Sequence, residues 1–106
     1  MTKALLEDGV DCTAIFAISD SLAIGAVRAL IDAGKRVPMD ISVAGFDGTE
    51  MAAYYNPSIT TIRQPAETMA RETIKLLFDS IKKKTNVQQL IFEGELVPGE
   101  SVKKLN

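Results

Sequence analysis

Ile41–Thr49 reads ISVAGFDGT, and the prediction of the fold class starts there. Residues 41–46 form a short apolar, β-favouring run that stops abruptly at Asp47-Gly48, which predicts a buried strand ending in a turn. In an open α/β sheet, ligands bind beyond the carboxyl ends of the strands. Asp47 is the first residue past this end, and its carboxylate can accept paired hydrogen bonds from sugar hydroxyls or ring N–H groups. The alternative is that Asp47 only shapes the turn, as Asp before Gly often does.

A second strand of the same kind precedes this one. Residues 13–18 (TAIFAI) are a continuous apolar run, which predicts a buried parallel strand. The sequence Ser19–Ser21 then supplies helix-capping side chains, and the predicted helix ends at Gly34. If the two strands are adjacent and parallel, Ser19 and Asp47 open onto one crevice.

The helix after Ser19 is apolar over a wide arc. One face is expected to pack on the sheet, and it consists of Leu22, Ala23, Ala26, Val27 and Leu30. Ile24 and Ile31 stand to one side of this face, which suggests a second buried surface such as a subunit contact. The alternative is that they are isolated exposed apolar residues, which are common.

The remaining chain continues the alternation of helices and strands. Residues 59–62 (ITTI) predict an extended segment, residues 66–82 a long amphipathic helix closed by Thr85-Asn86, and residues 89–97 a strand interrupted at Gly94. The tail from Val102 is expected to fray. The whole order predicts an α/β architecture with parallel strands and flanking helices.

Size and composition limit the possible functions. At 106 residues the chain is one domain at most. Its net charge of −2, without a basic block, argues against this segment gripping nucleic-acid phosphates by itself. The single cysteine, Cys12, excludes an intrachain disulfide and favours a reduced cytoplasmic setting. No apolar run approaches the roughly 20 residues that span a bilayer, so no membrane segment is expected.

Several enzyme classes are excluded by the residues present. The chain has no histidine, which removes the Ser-His-Asp triad, the Cys-His pair and histidine metal ligands. Phe46–Thr49 resembles part of the Asp-x-Asp-Gly-Thr motif of haloacid-dehalogenase-type phosphatases, but the nucleophile position is Gly45. Glu93 and Glu95 allow a carboxylate pair on one strand face, although a solvated edge is the simpler interpretation. No catalytic residue, metal site or cofactor is predicted.

Three segments together resemble one family. They are residues 19–26 (SDSLAIGA), 34–47 (GKRVPMDISVAGFD) and 57–65 (PSITTIRQP). In this order and spacing they are similar to the C-terminal part of the effector domain of LacI/GalR (lactose-repressor) transcriptional regulators. The resemblance runs from about Thr13 to Glu100.

The resemblance implies a periplasmic-binding-protein-like domain of two Rossmann-like lobes, with a small molecule, often a sugar or purine, bound between them. A helix-turn-helix domain that contacts operator DNA precedes this core in the family. The chain is too short for both lobes, so a fragment is expected. Residues 1–63 would be mostly one lobe, residues 66–84 a helix that packs in the other lobe, and residues 88–101 a returning strand.

The resemblance also assigns roles to residues. Ser19 matches a ligand-facing position, Asp20 the adjoining acidic position, Asp47 a ligand-contacting aspartate, and Gln64 a place on a hinge-crossing strand near the pocket. Near its end the chain departs from the family's Arg-x-Ser-Thr pattern, because residues 99–102 are GESV.

A dimer interface is the remaining assignment. Ile24 and Tyr55 match dimer-interface positions of the family, and Ile31 joins them from the helix periodicity. The preferred function is therefore the effector-binding and dimerisation part of a cytoplasmic repressor, a homodimer with no enzyme activity that senses a sugar or nucleoside. The alternative is a fragment of a periplasmic sugar-binding transport protein. An upstream helix-turn-helix would favour the first, and a signal peptide the second.

Overall fold

The computed structural model describes residues 1–83 and 89–105. In chain order the elements are α1 (Thr2–Glu7), β1 (Ala14–Phe16), α2 (Asp20–Asp32), β2 (Ser42–Ala44), α3 (Glu50–Tyr54), β3 (Thr61–Arg63), α4 (Ala66–Lys83) and β4 (Glu95–Val97). This alternation of helices and strands confirms the predicted α/β class. No helix in the described ranges is long and apolar enough to cross a membrane.

The centre of the fold is the parallel pair of β1 and β2. Ala14 lies opposite Ser42 and Phe16 opposite Ala44, and the pairing is extended by a hydrogen bond from Ala17 N to Ala44 O of 2.8 Å. The apolar runs predicted from residues 13–18 and 41–46 thus become neighbouring strands. The connection between them is α2, as expected for a parallel crossover.

Helix α2 begins and ends where local chemistry requires. The Ser19 hydroxyl caps its first turn by accepting a hydrogen bond from Leu22 N at 3.2 Å. Gly34, with φ +79°, follows the end of the helix in the left-handed region that glycine adopts without steric cost. The inner face of α2 forms the core together with residues of β2, α3 and the loops: the buried apolar set is Ala17, Ala23, Ala26, Val27, Leu30, Ile41, Val43, Ala52 and Ile59.

Leu22 departs from the expected packing face, because 52% of its surface is exposed. At 100° per residue, the buried side chains of α2 centre near Ala23, and Leu22 lies about 100° from that centre. Periodicity identified an apolar face that was wider than the part the sheet covers. The prediction that Leu22 packs on the sheet was therefore wrong.

Beyond β2 the chain turns to pair with the segment around β3. Ala44 forms a parallel bridge with Thr60, and Asp47 forms another with Arg63. Strand β3 in turn pairs with β4. The predicted strand over residues 89–97 is shorter than expected, since only Glu95–Val97 is a strand. The alternation that would place Glu93 and Glu95 on one strand face is therefore not formed.

The segment after β4 is anchored as far as Lys103, so the first part of the tail that was predicted to fray from Val102 is held in place. Ser101 is fully buried, and its carbonyl accepts from Val43 N at 2.8 Å. The Ser101 hydroxyl donates to Val43 O and accepts from Thr60 N at 2.9 Å. Further along, Lys103 N donates to Ser42 Oγ at 3.1 Å. The tail is held because it satisfies main-chain groups at the edge of β2 that would otherwise lack partners.

Two compact units divide the described chain. The first comprises Met1–Arg63 and the chain from Leu96 onward, and the second is Gln64–Glu95. The second unit contains α4, whose apolar side chains Ile74, Leu77, Phe78 and Ile81 are all more than half exposed. Assignment of α4 to another lobe stays a prediction. The predicted helix end at Thr85-Asn86 lies outside the described residues.

Candidate functional site

The carboxyl ends of β1 and β2 bring the two principal site residues to one edge. Phe16 pairs with Ala44 in the parallel register, and Ser19 and Asp47 are each the third residue beyond that pair. Because parallel strands end on the same side of a sheet, Ser19 and Asp47 both follow this edge. The structure therefore has the adjacent, parallel strands on which the sequence-based site depended.

Asp47 has an unusual backbone conformation. Its φ of +126° lies in the region that side-chain-bearing residues rarely adopt. Such a conformation costs on the order of 1–3 kcal/mol and persists only where the surroundings impose it. Asp47 N donates to Ile62 O at 2.9 Å, so pairing with the β3 segment helps to impose it. Strained residues of this kind cluster at active sites and ligand clamps, and a ligand-binding role for Asp47 stays a prediction.

Gly48 makes this turn possible. Its φ is +75°, and a Cβ at this position would collide with the backbone and side chain of Arg63. Gly48 N donates to Thr61 Oγ1 at 3.2 Å, and Thr49 then caps α3 by accepting from Ala52 N at 3.3 Å. The turn after β2 is thus packed directly onto β3 and leads at once into a short helix.

The Ser19 hydroxyl caps α2 through its oxygen and also has an O–H donor. Its oxygen accepts the capping hydrogen bond of α2, while a hydroxyl keeps one O–H donor for another partner. The residue is half-buried at the N-terminus of the helix. Its role as a ligand contact stays a prediction.

Asp20 makes contacts that are all internal to the fold. Only 1% of its surface is exposed. Its Oδ2 accepts from Thr49 N at 2.7 Å and from Thr49 Oγ1 at 3.0 Å, and its Oδ1 accepts from Thr61 Oγ1 at 2.5 Å. The family resemblance implied that Asp20 is an effector-binding residue. The structure shows it bound to two threonines, and direct ligand contact stays a prediction.

The other predicted residues are distributed over both units. Gln64 is the first residue of the second unit, so its part in a shared pocket stays a prediction. Among the proposed interface residues, Ile31 is 43% exposed, whereas Ile24 and Tyr55 are half-buried and pack partly against the core. Their part in a dimer is likewise a prediction.

Sequence reasoning missed Thr49 and Thr61, the two partners of Asp20. Thr49 carried a local signal, because a threonine directly before an apolar helical turn is a typical N-cap. Thr61 was hidden in a β-branched run that indicated only an extended segment. Gly45 also belongs to the site, because a Cβ there would stand 2.6 Å from Asp20 Oδ1.

The polar side chains at this edge of the sheet have the chemistry of a ligand-binding site. Within residues 1–83 and 89–105, no group of three or more Cys, Asp or Glu side chains is placed to hold a metal ion. Hydroxyl donors and carboxylate acceptors at a strand edge suit the recognition of polar ligands through hydrogen bonds.

The chain is similar to a known domain family and to individual members of it. Residues 2–102 match the periplasmic binding protein-like domain family. The HTH-type transcriptional regulator MalR of Clostridium butyricum is 48% identical over 97 residues, which are 92% of this chain and 29% of that protein.

Two solved structures share the fold. The lac repressor dimer bound to operator and the anti-inducer ONPF matches with a TM-score of 0.87 at 31% identity, over 95% of this chain and 35% of that chain. The complex of the transcriptional regulator CelR with cellobiose matches with a TM-score of 0.86 at 38% identity, over 94% of this chain and 31% of that chain. This chain spans about a third of the length of these proteins. It therefore belongs to the periplasmic binding protein-like domain family, in the form that LacI-type transcriptional regulators carry.

Proposed function

We propose that this chain is part of the effector-binding and dimerisation core of a LacI-type transcriptional repressor that senses a sugar or a nucleoside or purine. The observation that carries the proposal is the common edge reached by Ser19 and Asp47, with Asp47 held in a strained conformation by the β3 segment. The chain performs no chemistry in this proposal. It binds a ligand, and binding shifts the balance between two arrangements of the whole regulator.

The chemistry of the edge fits a hydroxylated ligand. The Asp47 carboxylate accepts hydrogen bonds from neighbouring hydroxyls or from ring N–H groups, and the Ser19 O–H donates to a ligand oxygen. Gln64, which follows β3 directly, offers both an amide donor and an amide acceptor. The cellobiose bound to CelR supports a sugar, because that regulator is 38% identical over 94% of this chain.

Operator DNA and a second subunit are the proposed macromolecular partners. The lac repressor structure, which this chain resembles, is a dimer bound to operator. DNA contact would come from a helix-turn-helix domain outside this sequence, in keeping with the net charge of −2. The protein would act in the cytoplasm. A transport function is not favoured, because the similar proteins named above are transcriptional regulators.

The proposed dimer uses Ile24, Ile31 and Tyr55. Ile31 is the best probe of this surface, because its 43% exposure allows a change without opening the core. An Ile31→Asp variant of the full-length protein should sediment as a monomer at concentrations where the unmodified protein is a dimer. If the variant stays dimeric, Ile31 on α2 is not part of the dimer interface.

Thermal unfolding tests the proposed function. The full-length protein is heated alone, with millimolar cellobiose, maltose, ribose or adenosine, or with guanine at micromolar concentration. A ligand present at about 100 times its Kd stabilises the folded state by about 2.7 kcal/mol, which raises the Tm by a few degrees. Asp47→Asn should abolish that rise, whereas Arg28→Gln, at an exposed ion pair of α2, should preserve it. No shift with any of these sugars and purines would contradict the proposed effector class.

A further inference from the structure

The carboxylate of Asp20 is buried, so its role has to be sought in its contacts inside the fold. Its three hydrogen bonds come from neutral donors, namely the Thr49 amide and the hydroxyls of Thr49 and Thr61. Burying a carboxylate is costly, and such a group is retained only where well-formed hydrogen bonds compensate for the lost water. Its position in the first turn of α2 adds the favourable field of the helix N-terminus.

The two threonines extend the contacts of Asp20 to the turn after β2. Thr61 Oγ1 donates to Asp20 and accepts from Gly48 N at 3.2 Å. Thr49 Oγ1 donates to Asp20 and accepts from Ala52 N at 3.3 Å. Each hydroxyl therefore has a fixed orientation, because its single proton points to the carboxylate. Together they attach the residues on the C-terminal side of Asp47 to the start of α2 and to β3.

We propose that Asp20 is a positioning residue for ligand binding, whose buried carboxylate holds the Asp47 turn in its ligand-ready conformation through Thr49 and Thr61. The proposal rests on the proposed function in taking Asp47 as a ligand contact. The strained φ of +126° at Asp47 needs such support, since the turn would otherwise relax to a lower-energy backbone. A turn that is already in the binding conformation avoids the cost of ordering it when the ligand arrives.

The close packing of Gly45 against Asp20 also indicates that the Asp20 carboxylate is fixed in place. A Cβ at Gly45 would stand 2.6 Å from Asp20 Oδ1 and 3.2 Å from the Ala23 side chain. The carboxylate thus lies directly against the backbone of Gly45, which leads into the turn. There is no space for the carboxylate to move closer to that backbone. Asp20 is fixed by packing as well as by hydrogen bonds, as a group that positions others must be.

The test compares hydrogen exchange and affinity in matched variants of the full-length protein. Asp20→Asn removes the charge at nearly constant volume. Thr61→Val removes the hydroxyl that joins Asp20 to Gly48, and Thr61→Ser restores it. Val27→Ala is the control, because it destabilises the same helix through the core without touching the turn.

We expect faster amide exchange in the turn after β2 and not throughout the protein. In Asp20→Asn and Thr61→Val, the amides of Gly48 and Thr49 exchange at least about tenfold faster than in Val27→Ala, as loss of a charge-assisted hydrogen bond predicts. The Val43 amide, which donates to Ser101 O, serves as the reference for global opening. Affinity for whichever of cellobiose, maltose, ribose, adenosine or guanine binds the unmodified protein falls at least about tenfold in the same two variants. Thr61→Ser and Val27→Ala keep it within about twofold.

Two results would overturn the proposal. If Gly48 and Thr49 exchange no faster in Asp20→Asn and Thr61→Val than in Val27→Ala, Asp20 does not hold the turn. If exchange accelerates but affinity stays unchanged, Asp20 is only structural. Failure of the unmodified protein to bind any probe contradicts the proposed function, and the exchange comparison then still decides whether Asp20 holds the turn.

Discussion

Gly45 lies directly against the carboxylate of Asp20, so that a methyl group on Gly45 would stand 2.6 Å from Asp20 Oδ1. The carboxylate is held by three hydrogen bonds and cannot swing aside. Gly45→Ala should therefore lower the free energy of unfolding by about 2 kcal/mol, the usual cost of overpacking a well-filled interior. Urea denaturation of the full-length protein measures this change.

Gly25 is the matched control for that substitution. It lies inside α2, and nothing stands within 4 Å of a Cβ built on it. Gly25→Ala should raise the free energy of unfolding by about 1 kcal/mol, because alanine is the better helix former. Equal effects of the two substitutions would show that Gly45 is not confined by Asp20.

Two substitutions at Asp47 separate its effect on the free energy of unfolding from its effect on ligand binding. Asp47→Gly should relieve the strain of a φ of +126° and raise the free energy of unfolding by about 1 kcal/mol. Asp47→Asn keeps the strain and should bring no such gain. Both variants remove the carboxylate, so both should lose ligand-induced stabilisation in a thermal-shift assay. A glycine variant that is less stable than the asparagine variant would show that the backbone at Asp47 is not strained.

Ser101 should be the most sensitive residue of the C-terminal segment. It is fully buried, and its hydroxyl serves both Val43 O and Thr60 N. Ser101→Ala leaves these main-chain groups without that partner and should cost about 1–3 kcal/mol in chemical denaturation. The neighbouring Val102 is 42% exposed, and Val102→Ala should cost less than about 1 kcal/mol. Similar losses for both variants would contradict the anchoring role of Ser101.

Asp40 should titrate at unusually low pH. The Arg36 guanidinium bonds both of its oxygens, at 3.1 and 2.9 Å, and the Arg36 amide donates to Oδ2 at 2.7 Å. These hydrogen bonds lower the pKa of Asp40 from its ordinary 3.8 to about 2. Since the folded-state pKa is the lower one, the stabilisation is present above pH 3.8 and is lost as the pH falls toward about 2.

Carboxyl carbon NMR measures that titration directly. Arg36→Gln should return the pKa of Asp40 toward its ordinary value. Arg28→Gln, which removes the ion pair with Asp32 instead, should leave Asp40 unchanged. A midpoint for Asp40 that is the same in both variants would exclude Arg36 as the cause.

The fold class and the common edge of Ser19 and Asp47 were predictable because they depend on local patterns. An apolar run followed by capping residues specifies a strand and the start of the next helix within a few residues. The partners of Asp20 were not predictable in this way. Thr49 and Thr61 are 29 and 41 residues away in the sequence, and only the folded chain brings them together.

The same limit explains the tail and the face of α2. Ser101 is 58 residues from Val43, and neither residue alone indicates the other. Helical periodicity gave the direction of the apolar face but not its covered width, so Leu22 was assigned to the sheet although it is exposed. Local chemistry therefore predicted which residues begin and end elements, whereas long-range hydrogen bonds determined which side chains support the site.

We propose that Ser19 and Asp47 belong to one ligand site at the ends of β1 and β2. Amide chemical-shift mapping of the full-length protein tests it most directly, with cellobiose, maltose, ribose, adenosine and guanine titrated in turn. At least one of them should shift the amides of Ser19 and Asp47 together, with a single Kd, while those of Arg36 and Asp40 at the opposite ends of the strands stay unchanged. Shifts that leave either Ser19 or Asp47 unaffected by a bound sugar or purine would contradict the claim.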